Sequence, residues 1–210
     1  MSGDTESAAL PHPVAPEDRA RADLYAVVAR LFAAPPDAAF LAALGAAPEL
    51  PDESGAGLPA AYNRLLRASR AMDVDAAAQE YTDLFVGVGK SEVNLHGSHW
   101  QSGFMMDKPL AALRTDLADL GLERREDTEM LEDHLAALAE VMRLLIAGGH
   151  GRAPATLVEQ KRFFNERIAS WAPDCCDAIC ASPLANYYVR AAECAKAFLA
   201  IERDSFAMTP

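Results

Sequence analysis

Apolar residues recur along most of the chain at steps of three and four, the spacing that lines one side of an α-helix. After Pro16, Leu24, Val27, Val28, Leu31 and Phe32 follow this rule and predict a helix from Glu17. The Ala34–Pro36 segment stops it, because proline lacks the amide that a helix interior needs. A short helix over Ala38–Leu44 comes next, then a loop over Gly45–Pro59 rich in Gly, Pro and acidic residues. Pro59–Ala71 and Val74–Phe85 read as two more helices, the second with Asp73 or Asp75 placed to cap it. Beyond a loop at Gly87–His99, the run MMDKPLAALRTDLADLG reads as a helix closed by Gly121. The strongest pattern is Thr128–Ala147, where Leu131, Leu135, Leu138, Met142 and Leu145 make one stripe. Pro154–Trp171, Cys175–Ala181 and Leu184–Arg203 complete the set.

Alanine, leucine, glutamate and arginine fill long windows, while strand-favouring runs of Val, Ile and Thr are scarce. The expected fold is therefore all-α: a single helical bundle of about nine helices with a long central loop, over residues 17–210. Residues 1–16 are rich in Ser, Ala and Pro and read as a disordered tail.

Charge narrows the partners. The 210 residues carry 31 acidic against 19 basic side chains, a net charge of −12. Binding to nucleic acid needs the opposite sign, so no nucleic-acid partner is expected. The first twenty residues show neither the basic nor the apolar region of a secretory leader, and no apolar run is long enough to span a bilayer. A cytoplasmic protein without membrane insertion is expected. Cys175, Cys176, Cys180 and Cys194 contain no C-x-x-C pair and read as free thiols.

Four kinds of chemistry compete for the segment EYTDLFVGVGKSEVNLHGSHW, Glu80–Trp100. A metal site could draw on His96, His99 and His134, but a di-iron bundle needs Glu-x-x-His and Leu131 stands three before His134. GVGKSE has the Gly-Lys-Ser of a phosphate loop, yet Leu84 occupies the position of its first glycine and the segment follows a helix. Ser98 lacks the G-x-S-x-G elbow of a nucleophile. Neither catalysis nor a cofactor is expected. The fourth reading is a peptide groove. Between Asp116 and Glu140 stand nine carboxylates and two basic residues, Arg124 and Arg125. On the expected Thr128–Ala147 helix, His134 falls on the flank of the stripe, Asp133 points away from it and Glu132 lies to its side. Tyr81, Leu84 and Phe85 lie just before the loop, and Trp100 and Phe104 after it. Together these make an apolar floor with an acidic rim, suited to an arginine-bearing peptide in extended or helical form.

The same residues carry a family resemblance. YTDLFVG (Tyr81–Gly87), HGSHW (His96–Trp100), LRTDLADLGL, EDHLAALAEVM (Glu132–Met142), FFNERIASWAP (Phe163–Pro173) and ANYYVRAAECAKAFL are similar to segments of the TorD/DmsD family of redox enzyme maturation proteins. The likeness runs from about Ala20 to Leu199. It implies a TorD-like, non-enzymatic cytoplasmic chaperone that binds the twin-arginine signal peptide and the apo form of a molybdoenzyme catalytic subunit. Export would wait until the molybdenum cofactor is inserted. It implies that Tyr81, Leu84, Phe85, Gly97, Ser98 and Trp100 line the peptide site, with Glu132 beside Asp133 and His134 at its polar end. Members of this fold are monomers or exchange helices in a domain-swapped homodimer. The rival expectations are a nitrate-reductase-type assembly scaffold without a twin-arginine client, a histidine-based metal-binding protein, and a purely structural helical adaptor.

Overall fold

Caps and prolines set where each helix begins. In the computed structural model, which describes residues 14–87, 89–125, 128–149 and 151–208, Pro16 occupies the first turn of α1 (Pro16–Ala33). Its missing amide is no loss there, and Glu17 and Asp18 face the positive end of the helix dipole. The side chain of Asp37 accepts the Phe40 amide hydrogen to start α2 (Ala38–Ala46). After α3 (Gly57–Ala71), Asp73 does the same for α4 (Val74–Tyr81) through the Ala76 amide. α4 runs on as a π-turn, Thr82–Val86, and ends at Gly87 with φ 64°. A Cβ at Gly87 would stand 2.2 Å from the Lys90 carbonyl oxygen, so only glycine makes this turn.

α5 (Gly97–Ser102), α6 (Lys108–Asp119) and α7 (Leu135–Ala147) follow. α8 (Leu157–Phe164) opens with a capping box of Thr156 and Glu159 and continues as a second π-turn, Asn165–Ala169. α9 (Ala172–Ala181) and α10 (Tyr187–Met208) close the bundle. The fold is all-α, with no strand among the described residues. The expected bundle of about nine helices is borne out, with ten α-helices among the described residues because α5 forms where the expected central loop ends. To residue 13, the expected tail lies outside the described residues.

Two further expectations are corrected. Helix α6 begins at Lys108, so Met105 and Met106 precede it. Helix α7 begins at Leu135, seven residues later than the stripe from Thr128 implied. The Leu135 amide donates to the Leu95 carbonyl at 2.8 Å, and the Asp133 carbonyl accepts from the Gly97 amide at 2.9 Å. Those two groups are spent on the central segment and cannot extend the helical ladder backwards.

α7 lies along α1, and α10 is flanked by α3 and α9. One buried ion pair ties the ends of the chain together. Arg21 of α1 donates from Nε and Nη2 to the Glu202 carboxylate of α10 at 2.8 and 2.9 Å, and the Tyr25 hydroxyl adds a bond of 3.1 Å. Phe32, Tyr81, Phe85 and Tyr188 form a nest of edge-to-face and tilted rings with centroids 5.0–6.1 Å apart. The Tyr81 and Tyr188 hydroxyls donate to the Phe32 and Leu31 carbonyls, satisfying acceptors that the end of α1 leaves open. Of the four free cysteines, Cys175, Cys176 and Cys194 are buried, and burial pushes the Cys175 and Cys194 thiols up to about 12. No helix among the described residues is long and apolar enough to cross a membrane.

Glu80 caps a helix from a distance. Buried at the end of α4, its carboxylate accepts the amide hydrogens of Asn186, Tyr187 and Tyr188 at 2.8, 3.0 and 2.8 Å, closing the first turn of α10. Glu80→Ala leaves the buried Tyr187 and Tyr188 amides and the part-buried Asn186 amide without an acceptor, an expected loss of about 3 kcal/mol in urea unfolding. Glu80→Gln keeps a carbonyl acceptor and loses about half of that.

Candidate functional site

The central segment meets the start of α7 along a short seam. Between Leu95–Gly97 and Asp133–Leu135 the two backbone bonds given above make an antiparallel bridge, His96 opposite His134. One Asp133 carboxylate oxygen, Oδ2, accepts the Ser98 amide hydrogen at 2.8 Å, in the first turn of α5. His134 is the N-cap of α7, its Nδ1 accepting the Ala136 amide hydrogen at 3.1 Å. Asp133 and His134 thus cap two different helices, and neither lies on the wheel of α7 where the stripe placed it. Asn94 organises the other side. Its side chain accepts the His96 amide hydrogen at 2.9 Å, an Asx-turn, and its carbonyl accepts from Trp100 Nε1 at 2.7 Å. Gly97 packs against buried Trp171, where a Cβ would stand 2.9 Å from the indole nitrogen. Asn94 and Trp171 are seam residues that sequence reasoning missed. Asn two residues before a histidine in a polar loop was the available signal for the first.

Burial governs the electrostatics. Ser98, Asp133 and His134 are 0%, 3% and 7% exposed. Asp133 Oδ1 and Ser98 Oγ have no hydrogen-bond partner among the described residues. The His96 and His134 rings meet edge to face, 4.9 Å between centroids. Burial pushes His134 down to about 3, with His96 adding to the shift. Burial also lowers His96, against the pull of Asp133 and with help from His99. Both imidazoles are therefore neutral near pH 7, as the cap at Ala136 requires. Glu132 stands differently. Partial burial pushes its carboxyl up, but Arg114 donates to it twice at 3.0 Å, and with Arg124 nearby the net shift is downward.

The other expected residues are spread over two layers. Tyr81 and Leu84 are buried, and Phe85 packs partly buried in the aromatic nest. The link to the seam is backbone, the Val93 amide donating to the Leu84 carbonyl at 2.9 Å. Trp100 is partly exposed beside the seam, and beyond it Phe104 and Met106 stand 72% and 70% exposed. Among the described residues no group of three His, Cys, Asp or Glu side chains is arranged to hold a metal ion.

A trough of about 800 Å³ opens on the far side of Glu132. Leu117, Leu122, Met130, Val141 and Leu144 line it, with Glu123, Glu132 and Glu140 and the cations Arg124 and Arg125 around it. A smaller pocket of about 340 Å³ shares Gly121, Leu122 and Leu144 with it and extends to Arg152. Of the residues expected to bind a peptide, only Glu132 borders this space. The α6–α7 walls were not read from the sequence, because the one stripe of Leu131, Leu135, Leu138, Met142 and Leu145 leaves out Val141 and Leu144.

Residues 51–177 match the family described as nitrate reductase delta subunit. The chain belongs to this family, the NarJ/TorD-type redox enzyme maturation proteins, and is a molybdoenzyme maturation chaperone. The family comprises assembly proteins rather than catalysts. No curated protein matches the chain.

The buried imidazoles give the seam a pH signature. Unfolded histidine takes a proton near 6.5, whereas His134 in the fold resists it until about 3. Protons then favour the unfolded chain, so stability falls as pH drops from 6.5 towards 3. His134→Asn keeps a neutral N-cap acceptor and flattens this part of the curve. Urea midpoints at pH 7.5 and 5, wild type against variant, measure the difference.

Proposed function

We propose that the chain binds the twin-arginine signal peptide of a molybdoenzyme catalytic subunit in the cytoplasm and delays export until the enzyme is mature. The observation that supports this most directly is the junction of trough and seam. Glu132 borders an apolar trough, and one residue further a buried carboxylate oxygen, Asp133 Oδ1, has no partner among the described residues. A guanidinium is planar and rich in donors, and it suits a carboxylate pair better than an ammonium does. Reaching Asp133 requires the 94–100 segment to shift from α7. Trp100 then borders the entering chain, while Tyr81, Leu84, Phe85, Gly97 and His134 support the segment that moves. While the peptide is held, the export machinery has no access to it. No catalytic step and no cofactor is part of this reading.

A second reading follows from the description of the matching family. In it the client is a nitrate-reductase-type subunit whose N-terminus lacks an arginine pair, and the chain acts as its assembly scaffold. Calorimetric titration with candidate client N-termini, each beside its Arg-Arg to Ala-Ala version, separates the two. Selective binding of the paired-arginine form supports the first. Equal binding of both forms supports the second, and no binding by any signal peptide sinks the first.

Asp133→Asn tests the site within that titration. Asparagine still accepts the Ser98 amide hydrogen, so α5 keeps its cap while the charge is lost. Affinity for the arginine-pair peptide is expected to fall about tenfold, and affinity for its alanine version to stay unchanged. Added salt weakens wild-type binding only in part, since apolar burial is not screened.

A further inference from the structure

Sulfur reaches the surface of this protein mainly as thioether rather than thiol. Cys175, Cys176 and Cys194 are buried, and partial burial with nearby carboxylates raises Cys180, so thiolate is scarce at neutral pH. A thioether has no proton to lose, and its lone pairs are available wherever solvent reaches them. Met105, Met106 and Met208 are 37%, 70% and 81% exposed, whereas Met142 is fully buried. Met208 ends α10, while Met105 and Met106 stand with exposed Phe104 at the corner between α5 and α6.

Met105 is tied to the seam. Its Sδ accepts a hydrogen bond from Asn94 Nδ2 at 3.3 Å. Asn94 spends its other polar groups on the seam and its surroundings. Its Oδ1 accepts the His96 amide hydrogen at 2.9 Å and lies 3.1 Å from His96 Nδ1. Its carbonyl accepts from Trp100 Nε1 at 2.7 Å and from the Cys175 thiol at 3.5 Å. One residue therefore holds the turn before the bridge, the indole of α5 and the first turn of α9. A thioether is a poor acceptor, so the bond to Met105 is a weak member of this set, and it is open to solvent.

Peroxides convert a thioether to a sulfoxide. A sulfur lone pair attacks one peroxide oxygen, the O–O bond breaks and an S–O bond forms. Sulfur loses two electrons, the peroxide gains them, and hydrogen peroxide departs as water. The sulfoxide is polar and is reduced again by methionine sulfoxide reductases. At Met105 it presents an oxygen to the Asn94 amide donor in place of a weak sulfur acceptor. A stronger acceptor there polarises the amide and makes Oδ1 a better acceptor for His96. The exposed corner leaves the enlarged side chain room to draw back.

We propose that Met105 is a reversible oxidation site whose sulfoxide, formed by peroxide, fastens Asn94 and with it the 94–97 side of the seam. The consequence for client binding rests on the peptide-binding reading above, in which the 94–100 segment shifts from α7. Oxidised protein holds that segment closed and binds peptide less well. The modification and its effect on the seam stand apart from that reading.

The test treats the full-length protein with hydrogen peroxide and locates the oxidised residues by tandem mass spectrometry. Hydrogen exchange of the Gly97 and Leu135 amides, the two seam donors, is then followed by NMR. Sulfoxide at Met105 is expected, with exchange of both amides slowed about fivefold and restored by methionine sulfoxide reductase. Met105→Gln places a carbonyl oxygen at similar reach and slows exchange without peroxide. Met105→Leu removes the peroxide response, whereas Met106→Leu and Met208→Leu keep it, with circular dichroism and melting as checks of folding. A Met105 that stays reduced while Met106 and Met208 are oxidised overturns the site. Exchange that is unchanged or faster in the oxidised protein overturns the fastening, and a response that survives Met105→Leu does the same. Affinity for an arginine-pair peptide is expected to fall about fivefold on oxidation. Unchanged affinity beside slowed exchange overturns the consequence for client binding. Slowed exchange in a protein that binds no peptide in either state upholds the Met105 site and removes the peptide-binding reading.

Discussion

Two backbone hydrogen bonds, Leu135 to Leu95 and Gly97 to Asp133, decide the shape of the middle of this protein. They connect parts of the chain almost forty residues apart. They end α7 on one side and start α5 on the other, and they bring Asp133 and His134 to the positions from which each caps a helix. Because both bonds use groups that a longer α7 would need, the seam and the helix compete for the same amides. The seam wins because it also buries Val93 and Leu95 and lets Gly97 rest on Trp171.

That competition explains what the sequence could reveal and what it could not. Periodicity located α1 and α4 to within a few residues, since Pro16 and Asp73 are local signals acting on amides a few residues away. The all-α class followed from the same short-range pattern. The start of α7 was invisible, because the acceptor that stops it, the Leu95 carbonyl, lies far off in sequence. Leu131 fitted the stripe and is not in the helix. Glu80 is the same lesson in another place. It looked like one more acidic helix residue, and its role depends on amides more than a hundred positions later. At the candidate site, the identities of Asp133, His134 and Ser98 were legible from the family resemblance, whereas their burial and partners were not. The trough was hidden for a different reason. Val141 and Leu144 belong to a helix apolar on two sides, and a single stripe accounts for only one of them.

Acidity and packing divide the work between the two faces of α7. Two charges near the core are balanced in pairs, Arg21 with Glu202 and Arg167 with Asp116, while Glu80 and Asp133 are held by backbone amides. Three further carboxylates, Glu123, Glu132 and Glu140, stand around the trough with Arg124 and Arg125 beside them. The resident cations Arg114 and Arg124 hold Glu132 in place while no partner is bound. In the proposed complex an incoming guanidinium would exchange with contacts of its own kind, which favours discrimination over raw affinity.

The buried thiols have a consequence for the conditions in which such a protein can work. Thiol–disulfide exchange proceeds through the thiolate, and Cys175 and Cys194 are pushed up to about 12 by burial. Cys176 is raised well above its ordinary value for the same reason. At neutral pH these sulfurs carry almost no negative charge and lie out of reach of oxidants or reductants in solution. They serve the bundle as small apolar groups, so these three positions shield its packing from swings in the thiol redox balance around an enzyme that itself moves electrons.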